Sequence, residues 1–209
     1  MQHTRQDGLL IGLTGGIGSG KSTVASIIER THPVLYTDRI ARELMQHNEA
    51  LREAVVERFG VQAYLSDGSL DRRWLAEVVF GDSRALAELN AIVHPPTLEF
   101  VRVEAARLFA GGARMVIVES ALIFEAELEE DFDYTVCVLA DFDSTVQRLL
   151  QRDGTTREQV LERMRHQLPP EEKAGLADFT IHNSGSLDEL EQSTRLILGI
   201  LAALKPRRS

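Results

Sequence analysis

Leu9-Leu10-Ile11-Gly12-Leu13-Thr14-Gly15-Gly16-Ile17-Gly18-Ser19-Gly20-Lys21-Ser22 is the stretch that decides the fold. Its first half is a short, mostly apolar run suited to a strand buried in a parallel sheet. From Gly15 to Ser22 it matches the G-x-x-x-x-G-K-[ST] phosphate-binding pattern at every fixed position. Val24, Ile27 and Ile28 then recur at helical spacing, so the glycines fall between a strand and a helix, where the pattern needs them. Glycines there let the backbone turn tightly and aim successive N–H groups at phosphate oxygens, and the helix start adds partial positive charge. Gly15, Gly16, Ile17, Gly18, Ser19 and Gly20 would cradle a nucleotide's phosphates, with Thr14 and Thr23 flanking them. Lys21 would reach the β- and γ-phosphates, and the Ser22 hydroxyl would ligate Mg²⁺.

Composition narrows the class. A chain of 209 residues can bury one substantial core and carry a smaller inserted unit. No apolar run approaches the ~20 residues of a membrane helix, and Met1–Asp7 lacks the apolar core of a signal peptide, so a cytoplasmic protein without a membrane partner is expected. A net charge of −9 argues against a nucleic-acid partner, which calls for a basic face. The single Cys137 lies in the apolar run Thr135–Leu139 and reads as a buried strand cysteine with no chemistry.

Along the chain, Pro33–Thr37 reads as a second strand ending at Asp38. A charged residue just past the carboxyl end of such a strand lies on the edge where open α/β sheets place ligand contacts. Asp38 could instead cap the helix that starts near Arg39. From Arg39 to about Gly111 the pattern is helical: Arg39–Leu44, an apolar face at Leu51, Val55, Val56 and Phe59, and a third helix after Ser69-Leu70-Asp71-Arg72. A further helix over Ser83–Val93 is expected to stop at His94-Pro95-Pro96, because proline disfavours helical geometry in the residue before it. Another then runs over Thr97–Ala110. So many helices between strands imply an inserted substrate-holding unit over 39–111.

Met115-Val116-Ile117-Val118-Glu119 is a third strand ending in a carboxylate, the pattern that supports Mg²⁺ or its water shell in phosphate-loop enzymes. A fourth strand over Thr135–Ala140 leads into a helix with Arg148 and Arg152 on one face, where both guanidinium groups could fork onto phosphate. Residues 153–170, helical with a proline hinge, have the make-up of a closing lid. Ala177–Ile181 is a fifth strand, and Asn183 at its edge could read an adenine or simply sit in a turn. Lys205–Ser209 reads as a frayed basic tail. The fold expected is an α/β three-layer sandwich of the phosphate-loop type: a five-stranded parallel sheet from residues 1–38 and 112–209, the helical insertion and the lid.

These segments resemble one family. Gly12–Ala25 looks like the opening of the dephospho-coenzyme A kinases, and the order continues through Asp38–Arg42, Leu70-Asp71-Arg72, His94-Pro95, Leu122-Ile123-Phe124-Glu125, Arg148, Arg152-Asp153, Gln167, Ala177-Asp178-Phe179 and Asn183-Ser184-Gly185. Two positions depart: Ala121 stands where the family often has proline, and Tyr36-Thr37 replaces its small and acidic residues. The resemblance implies transfer of the ATP γ-phosphate to the ribose 3′-hydroxyl of dephospho-coenzyme A; a monomer or weak homo-oligomer is expected. It implies Asp38 as the base and Arg42, Leu70, Asp71, Arg72 and His94 on the acceptor side; beside it, Lys21, Arg148 and Arg152 are expected as charge-bearing catalytic groups, and Thr14 and Glu119 as substrate contacts. Two other readings stay open: a kinase for a nucleoside or nucleoside monophosphate, and a nucleotide-dependent switch.

Overall fold

The computed structural model describes residues 8–80, 82–165 and 167–207, with side chains for all of these but Phe80 and Asp153. The segment read as lacking a signal peptide, and the last two residues of the basic tail, lie outside the described residues. Five strands, β1 (Leu9–Gly15), β2 (Val34–Tyr36), β3 (Met115–Glu119), β4 (Tyr134–Leu139) and β5 (Phe179–His182), form one parallel sheet in the order β2-β3-β1-β4-β5. The phosphate-loop strand is therefore central, with Leu13 opposite Glu119 and Thr14 opposite Cys137. Alternation along each strand sends successive side chains to opposite faces. One face, with Ile11, Leu13, Ile117 and Val136, packs on α1 (Lys21–Glu29) and on α9 (Leu187–Ala202) through Ile28 and Leu201. On the other face a Cβ at Gly12 would strike Ile123 and Phe132, so the chain after β3 lies directly against the strand. This gives the three layers expected of the sequence.

Helix ends follow local chemistry. Asp141 caps α6 (Phe142–Asp153) by accepting from Ser144 N–H at 2.8 Å, and Gly154 ends it at φ 60°. Next comes α7 (Arg157–Arg165), and then Pro170 starts α8 (Pro170–Leu176), where its missing N–H costs nothing.

The chain divides into two compact units, Met1–Leu35 with Ala105–Ser209, and Tyr36–Glu104. The second holds α2 (Thr37–His47), α3 (Glu49–Phe59) and α4 (Arg72–Phe80), and it has its own apolar core around Leu51, Val55, Tyr64, Leu75 and Val79.

Three expectations are corrected. The helix α5 (Ser83–Ala110) is continuous through Pro95 and Pro96. The prolines remove the donors that would have reached the carbonyls of Ala91 and Ile92, yet packing of the flanking turns keeps the helix together. The second strand ends at Tyr36, so Asp38 lies inside the first turn of α2 with Tyr36 in the capping position. The tail is anchored as far as Arg207, whose guanidinium pairs with Asp178 at 2.6 Å and stacks on Tyr134 at 4.1 Å. Among the described residues no helix is long and apolar enough to cross a membrane.

Candidate active site

The loop between β1 and α1 is shaped by its glycines. Gly20 caps α1 in the left-handed region at φ 90°, and a Cβ there would run into the Asn183 amide. α1 has no side-chain cap and no acidic residue in its first turn. An anion is the natural partner for such a helix start, because its first N–H groups point outward along the favourable end of the dipole.

Lys21 stands at this helix start and forms a close ion pair with Glu119 at the end of β3; their side chains are only 12% and 7% exposed. The pair brings together the phosphate-loop lysine at the start of α1 and the acid that ends β3. An ammonium so withdrawn from water needs a counter-charge, and Glu119 supplies it. Ser22 and Thr23 are exposed on the first turn of α1. Among the described residues no group of three or more His, Cys, Asp or Glu side chains could hold a metal.

Asn183 is 7% exposed, and its amide nitrogen donates to the Ser19 carbonyl at 2.7 Å. It thus fixes the loop through one of its two amide N–H groups. Arg148 donates through Nη2 to the Asn183 carbonyl at 3.1 Å, while its buried Nη1 has no partner. That guanidinium lies 3.9 Å from where a Cβ on Gly20 would stand, so an unsatisfied cationic donor sits beside the loop. Arg152, one turn on, is exposed. Thr14, in the strand that leads into the loop, has 0% exposure and an unpartnered hydroxyl.

The helical unit carries the remaining candidates. Asp38 and Arg42 are exposed one turn apart on α2, with Arg42 Nε donating to the Asp38 carbonyl at 2.7 Å. The Asp38 carboxylate faces the favourable end of that helix's dipole. His94 is half-buried; burial lowers its pKa and the Asp38 charge partly offsets that. Leu70 N–H donates to Gln46 at 2.7 Å, and Asp71 accepts from Trp74 N–H at 2.9 Å, which commits Asp71 to capping α4. Arg72 is exposed.

Three further residues emerge from the structure. Gln167 accepts from Ile17 N–H at 2.9 Å, Glu125 accepts from Leu168 N–H at 2.9 Å, and Lys173 joins Glu125 at 2.7 Å. Gln167 and Glu125 stood in the segments that resemble the family; Lys173 had no signal, since Glu171-Glu172-Lys173 reads as a solvated charge cluster. Cys137 is buried near this group, and burial pushes its thiol up to about 11, so it stays an inert thiol as expected.

Comparison with known proteins shows the family and agrees with the fold. The family model described as dephospho-CoA kinase (CoaE) matches residues 9–189. A dephospho-CoA kinase from Salinibacter ruber is 40% identical over 185 residues, 88% of this chain and 93% of its own. One from Thermus thermophilus is 38% identical over 202 residues, 96% of each. A solved structure, also from Thermus thermophilus, superposes with a TM-score of 0.78 at 37% identity, covering 94% of this chain and 99% of its own.

Proposed function

The chain belongs to the dephospho-CoA kinase family, and from that premise we propose that it transfers the γ-phosphate of ATP to the ribose 3′-hydroxyl of dephospho-CoA, giving CoA and ADP as the final step of coenzyme A synthesis. One observation carries the donor half: an uncapped helix start with Lys21 at its mouth and the unsatisfied Arg148 Nη1 beside Gly20. Phosphoryl transfer asks chiefly for alignment and for neutralisation of charge on the transferring group. Backbone N–H groups of Gly15–Ser22 hold the phosphates, and Lys21 exchanges Glu119 for the β- and γ-oxygens. Arg148 and Arg152 take the charge that spreads over the γ-phosphoryl group.

The 3′-oxygen forms its bond to the γ-phosphorus as the bond to the β–γ bridging oxygen breaks, ADP leaves, and the hydroxyl proton passes to Asp38. Ser22 would hold Mg²⁺, with Glu119 freed to support its water shell. The bound ion would add positive charge against the β- and γ-oxygens. We assign acceptor recognition to the helical insertion, 39–111, through Arg42, Leu70, Arg72 and His94. Residues 153–170 act as a lid that keeps water from taking the phosphate. We place the reaction in the cytoplasm, with the chain a monomer or weak homo-oligomer.

The test is ADP release with dephospho-CoA, adenosine, AMP or no acceptor. Release that depends on dephospho-CoA alone is the expected result. Equal turnover of AMP or adenosine would replace the assignment with a nucleoside or nucleoside monophosphate kinase, and acceptor-free turnover with a nucleotide switch.

A further inference from the structure

Ile17, in the middle of the phosphate loop, is held in two ways by chain far away in sequence. Its side chain packs on the small cluster of Val146, Leu149 and Val160, and its N–H donates to Gln167 Oε1 at 2.9 Å. Gln167 is itself fixed by its neighbour, because Leu168 N–H donates to Glu125 Oε1 at 2.9 Å. The same oxygen takes Lys173 Nζ at 2.7 Å, and that ammonium also donates to the Ala121 carbonyl at 2.7 Å. Lys173 is 0% exposed. Burying such an ion pair is costly, and an apolar pair of similar volume often packs an interface equally well. An apolar pair would lack one thing this pair has: an acceptor for Leu168 N–H, the group that sets where Gln167 stands. Pro170 adds to the same contact, lying 3.6 Å from where a Cβ on Gly16 would be.

We propose that Gln167 is a positioning residue for the phosphate loop, held in register by the buried Glu125–Lys173 pair, and that it presets the loop shape that receives the ATP phosphates. The proposal rests on the nucleotide reading of the loop. Without the Gln167 acceptor, Ile17 N–H is left unsatisfied in a half-buried place, and the loop gains other shapes that bind phosphate less well.

Gln167→Met keeps the length of the side chain and removes the acceptor. Calorimetric ATP binding without acceptor should weaken about 5–20-fold, which follows from losing one half-buried hydrogen bond. The KM for dephospho-CoA should stay within about two-fold, and the melting point without ATP within about 2 °C, a split that a merely structural residue would not produce. The paired change Glu125→Met/Lys173→Met removes the charges and the acceptor for Leu168 N–H together. It should weaken ATP to a similar extent and add nothing to Gln167→Met, because both act through one contact. Unchanged ATP affinity in Gln167→Met overturns the proposal, whether or not the paired variant folds; so does a paired effect that multiplies with it. A wild-type chain with no affinity for ATP would overturn the nucleotide reading itself and the proposal with it.

Discussion

The phosphate-loop region and the helical unit hold their candidate residues in opposite ways. Around the loop, several polar groups are at least partly withdrawn from water and paired in advance, Lys21 with Glu119, Ile17 with Gln167 and Ser19 with Asn183, while Arg148 Nη1 is left without a partner. In the helical unit, Asp38, Arg42 and Arg72 are exposed, and the contacts that do form, such as Asp71 on α4, serve the unit's own framework. Organisation has to come first where charge is handled. Donors aimed at a phosphate work best when fixed before charge develops, since reorganising them during reaction would forfeit their effect. A binding surface for a long, flexible acceptor can instead take its final arrangement from the ligand.

This contrast is tested by where each substitution shows its effect. Asp38→Asn is expected to lower kcat by ~10²–10⁴ while calorimetric ATP affinity is unchanged, because it removes a proton acceptor and no phosphate contact. Loss of ATP binding in that variant would erase the contrast. Lys173→Met leaves the partly buried Glu125 without its cation and should cost about 2–4 kcal/mol of stability in denaturant melts. A cost under about 1 kcal/mol would mean that this region is not preset by buried pairing. Lys21→Ala should lower turnover by about 10²-fold or more in steady-state assays, and near-normal activity would remove the loop from the chemistry.

The smallest effect concerns His94. Burial lowers its pKa more than the Asp38 charge raises it, so the folded state binds the ring proton less tightly than the unfolded chain does. As pH falls below about 6.5 the unfolded chain takes up that proton first, and stability declines until the folded-state pKa is passed. Melting curves between about pH 5 and 8 should show this component in the wild type and lose it in His94→Asn. An identical pH profile in both would mean that His94 is as solvated as the exposed groups near it.

How far residues disclosed the site depended on how local their signal was. Gly15–Ser22 could be read because the tight turn, the outward N–H groups and the lysine are all set within eight neighbouring residues. Met115–Glu119 could be read as a strand ending in an acid, but its ion pair with Lys21 depends on β3 lying beside β1. His94-Pro95-Pro96 misled, because a helix break is a local preference and packing on both sides of the prolines overrode it. The tail misled for a similar reason: Asp133, Tyr134 and Asp178 give its backbone and Arg207 partners from distant segments.

The phosphate-binding turn, the strand–helix alternation, the helical character of the insertion and the family resemblance were all set by the order of residues alone. They rest on periodicities and short motifs whose physics is complete within one segment. Tertiary packing was needed to decide that Lys21 waits on Glu119, that Asn183 holds Ser19, and that a lysine in a run of charges is fully buried against Glu125. Each of those joins residues 48 to 164 positions apart, a distance at which a chain carries no local signal and only the packing of the sheet and its helices brings charge to charge.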